Sequence, residues 1–354
     1  MSDYEPNLDG ALSPVGKAKE LNELTNKEWL RHLLLLQQVK NSVLVVNDDI
    51  LSPFPLEKGK QTPLGLFAKS KLPDKKRAVT LGDHIGESTP WHYRSIILGR
   101  IIFSDKEGNK YRDVDLKGIG YVVNGTVREP GRLLLRRADL LGRAGLLNLE
   151  DAQQDFKTSE TLHKLGVRVA RSVAIIALQQ LIVRGRKVSV ETAVRRGMID
   201  ESFHPVVEVR AFGTKMRINN VDVDLNNEKN RRLYIDDARL LVAQEQGKTE
   251  PLSTEEYLSW FAKNLGINVG LMHNAGWVHY FLAPHNITLD CRIVDFDAAE
   301  QVGKNNGRFI IDQSDAYFSL GRLVEACGVG EKKAEYQQLY ENSYKEVCSF
   351  TGLP

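Results

Sequence analysis

The chain has 354 residues, 42% hydrophobic and 27% charged, with 48 Lys and Arg against 46 Asp and Glu for a formal charge of +2. That length suffices for one two-lobed domain or two ordinary ones, and the near-neutral balance supplies no field to draw the chain to nucleic acid. Three cysteines (Cys291, Cys327, Cys348) are too few and too late for a disulfide framework, and no apolar run reaches the length of a membrane span. The start MSDYEPNLDG is acidic and polar, unlike a secretory signal, so the expectation is a soluble, cytoplasmic protein, with secreted or organellar use left open.

Along the chain, residues 1–16 read as loosely attached. Leucines at helical spacing from Leu21 to Val39, with Asn26 as a cap and Glu28 in the first turn, predict an amphipathic helix. A short strand is expected over Ser42–Asn47, then a surface loop over Ser52–Lys76, rich in Pro, Lys and Gly. Strand patterns follow at Arg77–Gly82, Tyr93–Ser104 and Tyr111–Lys117, the last two flanking the turn at Asp105–Lys110 and making an antiparallel hairpin. A helix over Leu149–Leu165, with Asn148 as cap and Gly166 as stop, precedes strands at Val167–Leu178 and His204–Phe212. The remainder reads as helices at Ile235–Gln246, Thr254–Asn274, Gln313–Gly328 and Lys332–Thr351, interrupted by short strands at Ile287–Leu289 and Arg292–Val294.

That order predicts an α+β, protein-kinase-like two-lobed fold. An N-terminal extension and helix occupy 1–40, an N-lobe of antiparallel sheet with one helix occupies 41–213, and a mainly helical C-lobe occupies 214–354. The sharpest chemical signal lies in the last of these. His279-Tyr-Phe-Leu-Ala-Pro-His285-Asn286 leads, across a short hairpin, to Asp295-Phe-Asp297, so that an amide and a carboxylate are brought to one point. Magnesium takes hard oxygen donors, few of them from protein, and kinases use an Asn and an Asp in this way. An Asn before a strand is also an ordinary turn residue, and Asp-Phe-Asp arises by chance. His273, His279 and His285 are six apart, which spreads them around a helix, so a zinc site is not expected.

Two further signals are basic. Lys117, at the end of a sheet strand, stands where a kinase-like sheet places its phosphate-binding ammonium, and Asp155 or Glu160 on the following helix would hold it, though alone it reads as a surface residue. Arg210 and Arg217 flank the end of another strand, where guanidinium forks suit phosphate oxygens, and they read equally as ordinary surface arginines.

At these residues the chain resembles the selenoprotein O family, pseudokinases that transfer AMP from ATP to protein hydroxyls. Arg77-Ala-Val-Thr-Leu-Gly, Leu116-Lys-Gly-Ile-Gly and Ser159-Glu-Thr-Leu-His-Lys-Leu-Gly-Val resemble family stretches in the same order, and the Arg210–Arg217 and His279–Asn286–Asp295 spacings are kept. The resemblance, over about residues 77 to 300, implies ATP and Mg2+ as cofactors. It puts Lys117 in the nucleotide-lysine role, Asp155 or Glu160 as its partner, Arg210 and Arg217 on the phosphates, and Asn286 and Asp295 on the metal. ATP in this family lies flipped, with its α-phosphate toward a protein acceptor.

The chain also departs from the family. His285 replaces an Asp and becomes the candidate base or a packing residue, and Phe281 stands where a kinase base would fall. A longer basic segment fills 120–147, and the family's C-terminal redox tail is not matched. The implied activity is AMPylation of an unidentified protein substrate, without nucleic-acid or membrane partners. Phosphorylation, another ATP-activated ligation, or a non-catalytic pseudokinase binding module are the alternatives.

Overall fold

The computed structural model describes residues 4–6, 12–14, 32–71, 83–88, 94–120, 122–123, 126–127, 145–183, 185–224, 228–304 and 306–348. It is a mixed α/β structure, rich in sheet in its N-terminal part and helical in its C-terminal part. Two compact units divide it. The first holds the described residues of Met1–Asn22, Glu28–Gln153 and Ser172–Phe212, and the second those of Gln154–Arg171 and Gly213–Pro354.

The first unit is built on a nine-stranded sheet. Its path runs Asn41–Val46, Arg171–Leu178, Pro205–Phe212, Lys110–Lys117, Ser95–Ser104, Asp83–Ser88, His32–Gln38 and Leu66–Lys71, with Leu147–Asn148 added on Pro205–Phe212. Gln38 and Asn41 are three residues apart in sequence, at most about 11 Å of chain, yet their strands lie six places apart in the path. A flat sheet would separate them by about 29 Å, so this sheet curls back until its ends approach.

Register sorts the side chains. In the antiparallel pairing of Pro205–Phe212 with Lys110–Lys117, Val209 faces Leu116 and Ala211 faces Val114, all buried in one apolar cluster with Leu36, Val43 and Ile176. The alternate positions pair Glu208 with Lys117, Arg210 with Asp115 and Phe212 with Asp113, all buried. The opposite face of the sheet therefore carries buried charged residues, of which Arg210 and Asp115 form an ion pair across the strands. The hairpin between Ser95–Ser104 and Lys110–Lys117 turns on Asp105, whose Oδ1 accepts the N–H groups of Glu107 (3.1 Å) and Asn109 (2.8 Å).

Among the described residues the α-helices are α1 (Leu149–Lys164) and α2 (Val190–Arg195), which lie between strands, then α3 (Glu228–Glu245), α4 (Thr254–Asn274), α5 (Phe309–Ala326) and α6 (Lys333–Val347). α1 ends where expected, at Gly166, which has a left-handed φ of 86°. Its expected cap is not seen, because the Asn148 Oδ1 accepts the His204 N–H at 2.9 Å instead. α4 opens on a capping box in which Ser253 and Glu256 exchange backbone hydrogen bonds.

Several sequence expectations are corrected. Residues 32–38 form a strand, not the end of a helix, because His-Leu-Leu-Leu-Leu-Gln-Gln is hydrogen-bonded on both sides within the sheet. Leu66–Lys71 is a strand inside what reads as loop. The hairpin of Gln180–Val183 with Arg186–Ser189, and α2 after it, were not expected. The strands anticipated at Ile287–Leu289 and Arg292–Val294 shrink to isolated bridges, Ile287 with Ile293, Thr288 with Arg217 and Ile293 with Val169. The strand expected at Arg77–Gly82 and the main part of the helix expected from Leu21 lie outside the described residues.

α4 and α6 touch at backbone distance. A Cβ at Gly266 would lie 2.3 Å from the Tyr340 carbonyl oxygen and 3.0 Å from the Tyr344 nitrogen. Gly266→Ala should therefore force the helices apart and lower unfolding free energy by about 1–3 kcal/mol in a denaturant titration. A midpoint equal to wild type would contradict this packing.

Candidate functional site

The second unit carries a loop, 279–297, whose shape is set from three sides. At its start, the Asp312 carboxylate in the first turn of α5 accepts the N–H of His279 (2.6 Å) and of Tyr280 (2.7 Å). Asp312 also meets His273 Nε2 at 3.3 Å, and His273 Nδ1 meets the Tyr344 hydroxyl at 3.0 Å. Burial lowers the His273 pKa against the opposing pull of Asp312, which favours the neutral ring.

The middle of the loop is a tight turn. Thr288 N–H donates to the Arg292 carbonyl (2.9 Å), and Cys291 N–H to that of Thr288 (2.8 Å). Inside it the buried Asp290 carboxylate accepts from Thr288 Oγ1 (2.5 Å) and Arg292 Nε (2.7 Å), with Arg168 Nη2 at 3.4 Å. Those two cations hold the Asp290 carboxyl below the usual carboxylate range even though burial alone would raise it. Asn268 clasps the turn by donating to the Cys291 carbonyl at 3.0 Å.

At its far end, Asp295 adopts φ 65° and ψ 67°, and the next N–H, of Phe296, donates to Asp155 Oδ1 at 3.0 Å. Tyr280 (φ 68°), Cys291 (φ 60°) and Asp295 are the non-glycine residues with positive φ among those described. All three lie in this one loop. Such residues cost on the order of 1–3 kcal/mol each and persist where surrounding bonds over-determine them.

Within that frame four of the expected residues come together. Segment 216–218 runs beside the turn, with Ile218 N–H on the Ile287 carbonyl (3.0 Å) and Leu289 N–H on that of Met216 (2.7 Å). Arg217 is thereby aimed at the loop. Its Nη1 donates to Asp295 Oδ2 at 2.9 Å, lies 3.4 Å from Asn286 Oδ1, and donates to the His285 carbonyl. Asn286 is buried and its Nδ2 donates to the Phe281 carbonyl at 2.9 Å, which turns its oxygen toward Arg217. The His279 ring reaches the Val294 carbonyl at 2.9 Å and packs edge-on against Phe296 at 5.2 Å, so it braces both neighbours of Asp295.

His285 is an exposed residue whose imidazole pKa is lowered, first by desolvation and then by the Arg217 cation, with Asp295 opposing. Phe281 is exposed at 54%.

The other expected residues are Lys117, Asp155, Glu160 and Arg210. Lys117 and Arg210 belong to the first unit, where both are buried. Arg210 gives its fork to Asp115, Nε to Oδ1 at 2.9 Å and Nη2 to Oδ2 at 2.8 Å, so the two-pronged edge that suits phosphate already holds a carboxylate. Glu160 likewise accepts the fork of Arg171, at 2.6 and 2.5 Å. Of the two helix carboxylates between which the sequence left a choice, Asp155 is the one bonded beside Asp295.

Asp312 and Asp115 escaped sequence reasoning. Asp312 left one trace, a carboxylate in the apolar run Phe309-Ile-Ile-Asp-Gln at a helix start, whereas the partner of Arg210 lies 95 residues away on another strand.

A family model for the plectin repeat matches residues 181–206. No curated protein matches the sequence. Among solved structures the chain is similar to one described as "WaaP in complex with acyl carrier protein", at 13% identity and a TM-score of 0.28, covering 74% of this chain and 88% of that one. At that TM-score the likeness is weak.

Asp312→Ala should strand the His279 and Tyr280 N–H groups and lower unfolding free energy by about 2 kcal/mol or more, with Asp312→Asn losing less. Unchanged stability of the alanine variant would contradict the anchoring role. Because the folded-state pKa of His273 is depressed, its stabilising contribution is complete above the unfolded value. Stability should therefore decline as pH falls below about 6.5, and His273→Asn should flatten that decline.

Proposed function

We propose that this protein is a kinase-like, ATP- and magnesium-dependent transferase that moves AMP from ATP to hydroxyl groups on protein. The observation that carries the reading is the convergence of Asn286 Oδ1 and Asp295 Oδ2 on one cationic nitrogen, at 3.4 and 2.9 Å. An amide oxygen and a carboxylate facing a common cation are the hard, sparse donor set that magnesium takes from protein, so the residues fit the ion. Magnesium held by Asn286 and Asp295 would supply charge neutralisation to a triphosphate.

Arg217 reaches the same point, and its guanidinium suits phosphate oxygens as well as the Asp295 carboxylate it now holds. Asp312 and His279 fix the backbone on either side of the oxygens, so little reorganisation is left for the reaction. Phe281 has no proton acceptor, which leaves His285, neutral at pH 7, as the group to take the acceptor hydroxyl's proton. The hydroxyl oxygen then bonds the α-phosphorus, the α–β anhydride breaks, and pyrophosphate leaves.

A second reading, a non-catalytic binding module, is favoured by one observation. Arg217 Nη1 already satisfies Asp295, Asn286 and the His285 carbonyl, so an internal cation fills the metal's role.

Mass spectrometry of protein incubated with ATP, magnesium and candidate acceptors separates the readings. An AMP-sized adduct on hydroxyl side chains, absent with Asp295→Ala, is expected. A phosphate-sized adduct would replace the AMP reading with phosphorylation, and no adduct would favour the module. The transfer rate should fall on the acid side of about pH 6.5 as His285 protonates, and His285→Ala should lose that limb.

A further inference from the structure

A cavity of about 320 Å³ opens between α5 and α6, and no residue of the 279–297 loop lines it. α5 lines it with Ile310, Gln313, Ser314 and Tyr317, one stripe at helical spacing. α6 contributes Tyr340 and Tyr344 to the wall, and Glu341 and Lys345 to the rim.

Two buried polar groups in this lining have no partner. Gln313 is 5% exposed, and neither its amide nitrogen nor its oxygen makes a hydrogen bond. The amide approaches the Tyr344 hydroxyl, whose own bond runs to His273 Nδ1. Tyr340 is 2% exposed and its hydroxyl is likewise unbonded. Buried polar groups are almost always paired, and an unpaired one calls for a cause. Both groups belong to the wall of the one cavity, beside aromatic rings, and that coincidence points to a ligand. Burial raises the Tyr340 pKa well above its ordinary value, so the hydroxyl keeps its proton to donate. Glu341 and Lys345 lie 3.8 Å apart and cancel each other, so the rim selects for no net charge.

We infer that this α5–α6 cavity is a binding site for a small, neutral, planar aromatic carboxamide or lactam. Its amide edge pairs with the Gln313 amide in a two-point hydrogen bond and meets the Tyr340 hydroxyl, while its ring lies among the tyrosines and Ile310. The pocket falls at the small end of the range for ligand sites and has their pattern, apolar walls with a few placed polar groups. The inference does not rest on the proposed transferase activity, since its test reads binding alone.

The test is a thermal melt of the full chain titrated with benzamide, using benzoate and toluene as controls. Benzamide should raise the melting midpoint by mass action, with benzoate and toluene giving a smaller shift, and Gln313→Leu should abolish the rise. Tyr340→Phe, which removes only an unpaired buried hydroxyl, should raise the midpoint of the ligand-free protein and weaken the benzamide response. The inference would be overturned by no benzamide shift up to its solubility limit, an equal shift with benzoate, or a benzamide shift retained in both variants. A lower midpoint for ligand-free Tyr340→Phe would also overturn it, since that hydroxyl would then have a partner. If Gln313→Leu does not fold, the Tyr340→Phe melts decide alone.

Discussion

The Asp312 carboxylate, buried in the first turn of α5, accepts the backbone N–H groups of His279 and Tyr280, and the loop bearing Asn286 and Asp295 depends on that grip. A charge bonded to backbone donors in a dry environment is worth more than an ordinary hydrogen bond, and its placement in a helix's first turn adds the favourable end of the helix dipole. It is matched against a real cost. Tyr280 stands in left-handed backbone at the point where Asp312 holds it, and Cys291 and Asp295 do the same farther along. Each of the three is tied by a neighbouring bond, to Asp312, Asn268 and Asp155 respectively through their own or adjacent backbone groups.

The charges of the protein follow the same rule in both units. In the sheet, Arg210 and Asp115 face each other across antiparallel strands and bond through both prongs. In the helical unit, Arg171 does so with Glu160, and Asp290 gathers Arg168 and Arg292. Desolvating ions is expensive, so such pairs add little net stability when intact and cost several kcal/mol when one member is removed. Their contribution is to specify one arrangement. Arg217 differs from these in its acceptors: a carboxylate, a side-chain amide and a backbone carbonyl share a single nitrogen. That mixed set is what distinguishes a candidate ligand site from a structural ion pair.

What the sequence made legible depended on whether the deciding interaction was local. α4 spans Thr254–Asn274 as expected, and its start is held by a local interaction, the capping box of Ser253 and Glu256. Asn286 and Asp295 were found together because a short turn joins them. Residues 32–38 were misread because four consecutive leucines fit a helix face and a buried strand equally well, and only distant partners at 66–71 and 83–88 decide between them. α3 begins at Glu228, seven residues before the expected Ile235, because its first turns are charged and carry no apolar period. The roles of Asp312 and Asp115 were invisible for the same reason. Each acts on residues 33 or 95 positions away, and no spacing rule links them.

The proposed function requires Asn286 and Asp295 to hold a metal–nucleotide complex. The most direct measurement is thermal melting of wild type and Asp295→Ala, each with and without ATP and magnesium. A ligand that binds only the folded state must stabilise it. A magnesium-dependent rise in the wild-type midpoint that is missing in Asp295→Ala is expected. An identical response of the two proteins, whether a shift or none, would contradict it.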